Sequence, residues 1–182
     1  KGMNSEYANQ NAYDAISIHG GSGFIMEYKS QRLYRDARIF SIYEGTTQLQ
    51  VVAAIRYISN GTMLQNIKDM LASLPENADA ALKARVEKLI PVYEEALAYA
   101  KGLENQDAFD FLARRLYDMT CELVMSLLII RDAAACPELF EKSANVYVRM
   151  AEENVLGKAA YIKAFRAEDL DSFRACDGNC EA

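Results

Sequence analysis

The chain has 182 residues, 51% of them hydrophobic and 25% charged, with nine glycines and three prolines. That balance excludes a disordered, collagen-like or low-complexity chain and suffices for one large hydrophobic core or two modest ones. A formal net charge of −6, a single histidine and the lack of any Lys/Arg cluster argue against a nucleic-acid partner.

The longest apolar run, Leu123 to Ile130 with Ser126 inside it, is closed by Glu122 and Arg131. It is too short to span a bilayer, and a membrane role is not expected. Cys121 and Cys136 fall in or beside helical patterns and Cys176 and Cys180 in a polar tail, so all four read as reduced thiols of a cytoplasmic protein. The opening Lys1-Gly2-Met3 has no initiator methionine and no signal-like segment. The sequence therefore reads as a piece of something longer.

Taken in chain order, residues from Met3 to His19 place Tyr7, Ala8, Ala12, Ala15, Ile16 and His19 at helical spacing, up to a stop at Gly20-Gly21. Gln31 to Ile39 predicts a short basic helix around Arg32, Arg35 and Arg38, and Thr46 to Ser59 predicts another that ends at Asn60-Gly61. Asn60-Gly61-Thr62 also fits a glycosylation pattern, but reads better as that helix stop. Four further runs follow. Leu64 to Leu74 halts at Pro75. Leu82 to Ala100 carries Pro91, which predicts a kink, and Gly102, which predicts a C-terminal cap. Phe109, Leu112, Leu116, Met119, Leu123, Leu127 and Ile130 step by three and four until Pro137 blocks continuation, and Phe140, Ala144, Tyr147, Ala151, Val155, Ala159 and Ile162 repeat the pattern. The expected fold class is all-α: a helical bundle followed by a second, antiparallel bundle-like extension.

Two domains are expected, 1–60 and 61–182. The first holds six Lys/Arg against five Asp/Glu and the second fourteen against twenty-one, and six of the nine glycines lie at or before Gly61. The front third carries the shaped loops.

Gly20-Gly21-Ser22-Gly23 lets backbone N–H groups approach a phosphate, or is a plain interhelical turn. Glu44, preceded by Ile39, Phe40 and Ile42, suits a general base whose basicity burial raises, or an acidic residue stabilised near a helix N-terminus. Arg35-Asp36-Ala37-Arg38 reads as structural pairs on a helix rather than an anion grip. His19 reads as a packed helix-end residue. With no second histidine and no cysteine at metal spacing, no metal site is expected. Cys176 and Cys180 read as part of a frayed tail.

Together, Asp14-Ala-Ile-Ser-Ile-His-Gly-Gly-Ser-Gly-Phe24, Arg32-Leu-Tyr-Arg-Asp-Ala-Arg-Ile39 and Ile42-Tyr-Glu-Gly-Thr-Thr-Gln-Leu-Gln50 resemble the C-terminal helical domain of the acyl-CoA dehydrogenases. The match runs over roughly residues 8–60. Residues 61–182 resemble, in length and helical pattern, the extra helical domain of longer members. The resemblance implies a flavoenzyme that takes one hydrogen from each of the α and β carbons of an acyl-CoA, giving a trans-2-enoyl-CoA, and passes electrons from FAD to an electron-transfer flavoprotein.

Glu44 matches the catalytic base. Because a thioester α-proton is far less acidic than a carboxylic acid, such a site has to desolvate the carboxylate and stabilise charge on the thioester oxygen. In the family the amide N–H at the glutamate position and a flavin hydroxyl do so. Tyr43 and Gly45 match positions lining the thioester, and Thr46 and Gln48 match positions contacting FAD. Gly20 and Gly21 match a turn reaching the FAD of a neighbouring subunit, which implies a homodimer or homotetramer. Ser17 stands where the family has glutamine against the adenylate part of FAD, and a shorter side chain there implies substitution by water or another residue, or weaker binding. The N-terminal and middle domains of the family are not within these residues, so the piece alone is expected to be inactive. The competing readings are a non-catalytic interaction or oligomerisation module, and an oxidase that differs only in its electron acceptor.

Overall fold

The computed structural model describes residues 1–174; Cys176 and Cys180 lie outside the described residues. Among those residues every regular element is helical: α1 (Gly2–His19), α2 (Gly21–Phe24), α3 (Ser30–Arg38), α4 (Thr47–Ser59), α5 (Thr62–Ala72), α6 (Ala80–Gly102), α7 (Gln106–Ala135), α8 (Pro137–Ala164) and α9 (Asp171–Arg174), with short 3-10 turns at Ile39–Ser41 and Ala167–Leu170. The all-α reading is correct. The chain divides into two compact units, Lys1–Ala54 and Ile55–Ala182, and the division falls inside α4.

In the first unit α3 and the Ile39–Ser41 turn pack on α1, with α2 against its C-terminal end. The face expected to be apolar in α1 is not a core face: Tyr7, Ala8, Ala12, Ala15 and Ile16 are half-buried. His19, expected to be packed, is exposed. The chain reverses at Gly20 (φ 60°), and Gly23 is required where it stands, because a Cβ there would lie 2.6 Å from the Ile16 carbonyl.

In the second unit α6, α7 and α8 pack pairwise, with α5 against α7. Helical spacing alone brings Leu112, Leu116, Met119, Leu123, Leu127 and Ile130 to one seam, all at most 1% exposed. The facing seam of α8 is Ala144, Val148, Ala151, Val155, Ala159 and Ile162, and its alanines let the backbones approach closely. Val148 takes the buried place expected for Tyr147, while Phe140 is exposed. Asp79 caps α6 through the Ala81 and Leu82 amides, and Asn105 caps α7 through the Ala108 amide. Helix α6 runs on through Pro91 to Gly102, with Leu103 rather than Gly102 as its cap. The helix is tolerated there because Pro91 and Glu87, whose carbonyl loses its donor, both face solvent.

Glu122, read from the sequence as the edge of an apolar run, is only 4% exposed and accepts hydrogen bonds from Tyr147 Oη (2.8 Å) and Asn154 Nδ2 (3.0 Å). It can lie in the α7/α8 interface because both carboxylate oxygens find donors. Tyr93 Oη shares a hydrogen bond with Thr120 Oγ1 (2.8 Å) in the same core. Asn60 Oδ1 accepts from the Thr62 amide (3.0 Å) and Gly61 adopts φ 85° before α5, the helix stop read from the sequence.

Candidate active site

The segment between α3 and α4 is a tight reversal. The Ile42 and Tyr43 amides both donate to the Ile39 carbonyl (2.9 and 3.0 Å), after which Glu44 (φ 51°) and Gly45 (φ 88°) adopt left-handed backbone conformations in succession. Glycine does so freely. A glutamate with its Cβ is held there at a cost of about 1–2 kcal/mol, so contacts around the turn have to offset it. Three consecutive carbonyls meet donors: Gln50 Nε2 donates to Glu44 O (3.1 Å) and Gly45 O (3.5 Å), and Lys1 Nζ donates to Tyr43 O and Gly45 O, each at 2.7 Å. The Lys1 ammonium also lies 5.4 Å from the centroid of the Tyr43 ring. The φ of 88° is what calls for glycine at Gly45; a Cβ there would also come within 2.8 Å of Gln50 Nε2, the movable end of that side chain.

Glu44 itself is exposed. The desolvation expected from Ile39, Phe40 and Ile42 is not provided within this unit, because those three side chains are exposed as well; they lie beside the turn without folding over the carboxylate.

Directly after the turn, Thr46 Oγ1 accepts from the Leu49 amide (3.4 Å), capping α4, and Thr47 Oγ1 donates to Glu6 Oε1 of α1 (2.7 Å). These residues line an open cleft of about 500 Å³ together with Gln48, Arg38, Ser41 and Tyr34. Arg38 Nη1 donates to Ser41 Oγ (2.5 Å). Its guanidinium thus lines the cleft instead of forming the helix-surface pair expected with Asp36. Ser41 and Thr47 spend their hydroxyl protons on the Arg38 carbonyl (3.2 Å) and on Glu6, whose carboxylate also lines the cleft. The Arg38 guanidinium, the Gln48 amide and the Thr46 hydroxyl, whose proton stays free because its oxygen makes the cap, are donors of the kind a polar, partly anionic cofactor requires beside a helix N-terminus. The residues marked by the resemblance for FAD here, Thr46 and Gln48, fit that group.

Ser17, Gly20 and Gly21 occupy the opposite end of α1. Ser17 Oγ donates back to the Tyr13 carbonyl (3.4 Å), and around Gly20 and Gly21 the space that a Cβ would take is open. With Lys1 at the start of α1 holding the Glu44 turn, a rise of 1.5 Å per residue puts Ser17 about 24 Å away along the helix. The structure therefore gathers Tyr43, Glu44, Gly45, Thr46 and Gln48 at one corner and Ser17, Gly20 and Gly21 at another.

Sequence reasoning missed Lys1, Gln50 and Glu6. Gln50 stands six residues from Glu44 in the quoted motif and was a readable signal; Lys1 and Glu6 reach the turn only through the packing of the unit.

Two family models together cover residues 1–170. One described as acyl-CoA dehydrogenase, C-terminal domain, matches residues 1–58, and one described as acyl-CoA dehydrogenase C terminal matches residues 59–170. The chain belongs to the acyl-CoA dehydrogenase family.

Over 46 residues it is 56% identical to the caffeyl-CoA reductase-Etf complex subunit CarC of Acetobacterium woodii, a stretch covering 25% of this chain and 12% of that protein. Over 58 residues it is 41% identical to an acyl-CoA dehydrogenase of Bacillus subtilis, covering 32% of this chain and 15% of that protein. The matched stretches are thus a small part of these relatives' length. A crystal structure of an acyl-CoA dehydrogenase complexed with FAD from Bacillus anthracis superposes with a TM-score of 0.63 over 93% of this chain and 33% of that chain, at 21% identity. That likeness speaks for the fold.

Proposed function

We propose that this chain is the C-terminal helical part of a larger FAD-dependent acyl-CoA dehydrogenase, residues 1–60 completing its catalytic helical domain and residues 61–182 forming an additional one. The observation that carries the proposal is Glu44, a carboxylate-bearing residue held at φ 51° in a clamped turn, one turn before a helix whose first residues line a polar cleft. Strained backbone clusters at functional sites; Glu104 shares the conformation at φ 49°, and what supports Glu44 is the Lys1 and Gln50 grip on the carbonyls around it, next to Gly45.

In this reading the Glu44 carboxylate takes the α-proton of an acyl-CoA thioester, and its own backbone N–H donates to the thioester oxygen as negative charge develops there. Tyr43 and Gly45 line the thioester, and the absence of a side chain on Gly45 keeps that approach open. FAD, when bound, supplies the oxidant for the hydrogen and electron pair that leave the β carbon, the product being a trans-2-enoyl-CoA. Thr46 and Gln48 hold it at one corner, and Ser17, Gly20 and Gly21 form the other. The roughly 24 Å between the two corners supports a homodimer or homotetramer in which the glycine corner serves a neighbouring subunit's flavin. The exposed apolar side chains around Glu44 support a covering domain that excludes water from it, so the 182-residue piece alone is expected to be inactive.

The electron acceptor proposed is an electron-transfer flavoprotein, in line with the name of the Acetobacterium woodii relative. No helix among the described residues is long and apolar enough to cross a membrane, and we place the protein in the cytoplasm. That same relative is named a reductase, which favours one second reading: the reverse reaction, reduction of a 2-enoyl-CoA with Glu44, protonated, returning the α-proton.

Anaerobic visible spectra of the full-length protein, before and after acyl-CoA and after photoreduction followed by 2-enoyl-CoA, test both readings. Bleaching by the first supports dehydrogenation, and recolouring only by the second supports reduction. Glu44→Gln is expected to lower kcat by about 10²–10⁴-fold in either direction, and retention of activity would reject Glu44 as the base.

A further inference from the structure

We propose that Lys1 is a positioning residue for the Glu44 turn, resting on the reading of Glu44 as the base. Its ammonium grips Tyr43 O and Gly45 O, each at 2.7 Å, so it spans Glu44 and holds the peptide planes on either side. The peptide unit is planar and trans, so fixing the Tyr43 carbonyl points the Glu44 N–H the opposite way. That N–H is the donor proposed for the thioester oxygen, and a cation on the carbonyl of the same peptide polarises it and makes it a stronger donor. One side chain thereby sets two things at once: the left-handed conformation that aims the Glu44 carboxylate, and the direction of the N–H that stabilises charge.

The clamp is itself anchored. The Lys1 carbonyl accepts from the Ser5 amide (3.0 Å) and from Ser5 Oγ (2.9 Å), tying its backbone to the first turn of α1, and the ammonium rests over the Tyr43 ring. Gln50 cannot replace it: its amide serves chiefly Glu44 O, the carbonyl of the next peptide. Without Lys1 the Tyr43–Glu44 peptide is free to flip and relieve the strain at Glu44, which moves both carboxylate and N–H. Displacements of about 1 Å at a reacting group cost up to about 100-fold in rate.

The test compares the full-length enzyme with Lys1→Met, which keeps chain length and removes the donors, Lys1→Arg, which keeps a cationic donor, and Glu44→Gln as reference. The readouts are kcat, KM, the isotope effect with α-deuterated acyl-CoA, and the melting temperature. Lys1→Met is expected to lower kcat about 10- to 100-fold, with KM changed less than about threefold, a larger α-deuterium isotope effect and a small change in melting temperature; Lys1→Arg recovers most of kcat. Unchanged kcat in Lys1→Met beside an inactive Glu44→Gln overturns the positioning role and leaves the base assignment standing. Parallel losses in kcat, KM and melting temperature with no recovery by arginine also overturn it, by reducing Lys1 to structural support. An active Glu44→Gln removes the base reading and this proposal with it. Should Lys1→Met fail to fold, Lys1→Gln, with a neutral donor on a shorter side chain, is expected to show the same pattern at smaller size, and wild-type kcat there overturns the proposal.

Discussion

In residues 1–54 the buried apolar side chains among the described residues are Ala37 and Val51, whereas from Ile55 onward the buried set includes whole seams of α6, α7 and α8. The first unit instead keeps Phe24, Met26, Tyr43 and Leu49 exposed. Among the described residues each unit holds one glutamate in a left-handed conformation, Glu44 and Glu104, but only the Glu44 turn has a lysine bridging the carbonyls on either side of it. Both units are helical, so helix formation is not what separates them. The second turns helical periodicity into a core; the first uses helices as struts that present a turn and a cleft. Stability and chemistry are thereby allotted to different stretches of one chain.

The contrast can be broken by equal responses to equal changes. Leu123→Ala, in the α7 seam at 1% exposure, is expected to cost about 2–5 kcal/mol in urea unfolding of the 182-residue chain. Leu49→Ala, at 58% exposure, is expected to stay within about 0.5 kcal/mol. Similar losses at both sites would mean that the first unit has a core of its own.

Alkaline pH sharpens the comparison. Burial pushes the Tyr93 hydroxyl from 10.0 up to about 12 and the Cys121 thiol from 9.0 up to about 11, against hydrogen bonds with Thr120 and Tyr117 that pull the other way. On raising the pH, the unfolded chain therefore loses these protons before the folded one does. Their stabilising contribution is complete below about pH 9 and fades above it, by up to about 1.4 kcal/mol per pH unit for each group. Urea midpoints across pH 8 to 11 are expected to fall for the second unit, and Tyr93→Phe is expected to flatten the part of that slope above pH 10; an unchanged slope would assign it elsewhere.

The smallest effect concerns caps. Asp79→Ala removes acceptors for two amides at the start of α6 and is expected to cost about 1 kcal/mol. Thr46→Ala breaks a longer 3.4 Å bond and is expected to cost less, both read from melting temperature.

Much of the fold was legible because its signals are local. The α7 stripe repeats at three and four residues, Pro137 sits at the first position of α8, and Asn60-Gly61 ends α4 through its own side chain and dihedral. The Tyr43-Glu44-Gly45 turn was legible too, through residue types and order. Burial was less so: the α1 stripe was read as a packed face and is only half-buried, Glu122 was read as an edge and lies in the core, and Tyr147 was read as a seam residue where Val148 fills the seam. The α8 stripe was out of phase by one residue at Tyr147, and elsewhere what was missing was which neighbour covers which face.

By itself, then, the sequence determined where helices start and stop, which stripe each carries, and which glutamate stands between a tyrosine and a glycine before a helix, since these depend on side-chain period and backbone dihedrals over a few residues. Only tertiary packing decided that Lys1 reaches two carbonyls more than forty residues away and that Glu122 finds Tyr147 and Asn154 across a helix interface. It also decided that α1 holds the glycine corner and the Glu44 turn at opposite ends. Contacts distant in sequence form only when the burial and hydrogen bonds gained across a whole unit repay the entropy of bringing those residues together, and no local pattern along the chain encodes that sum.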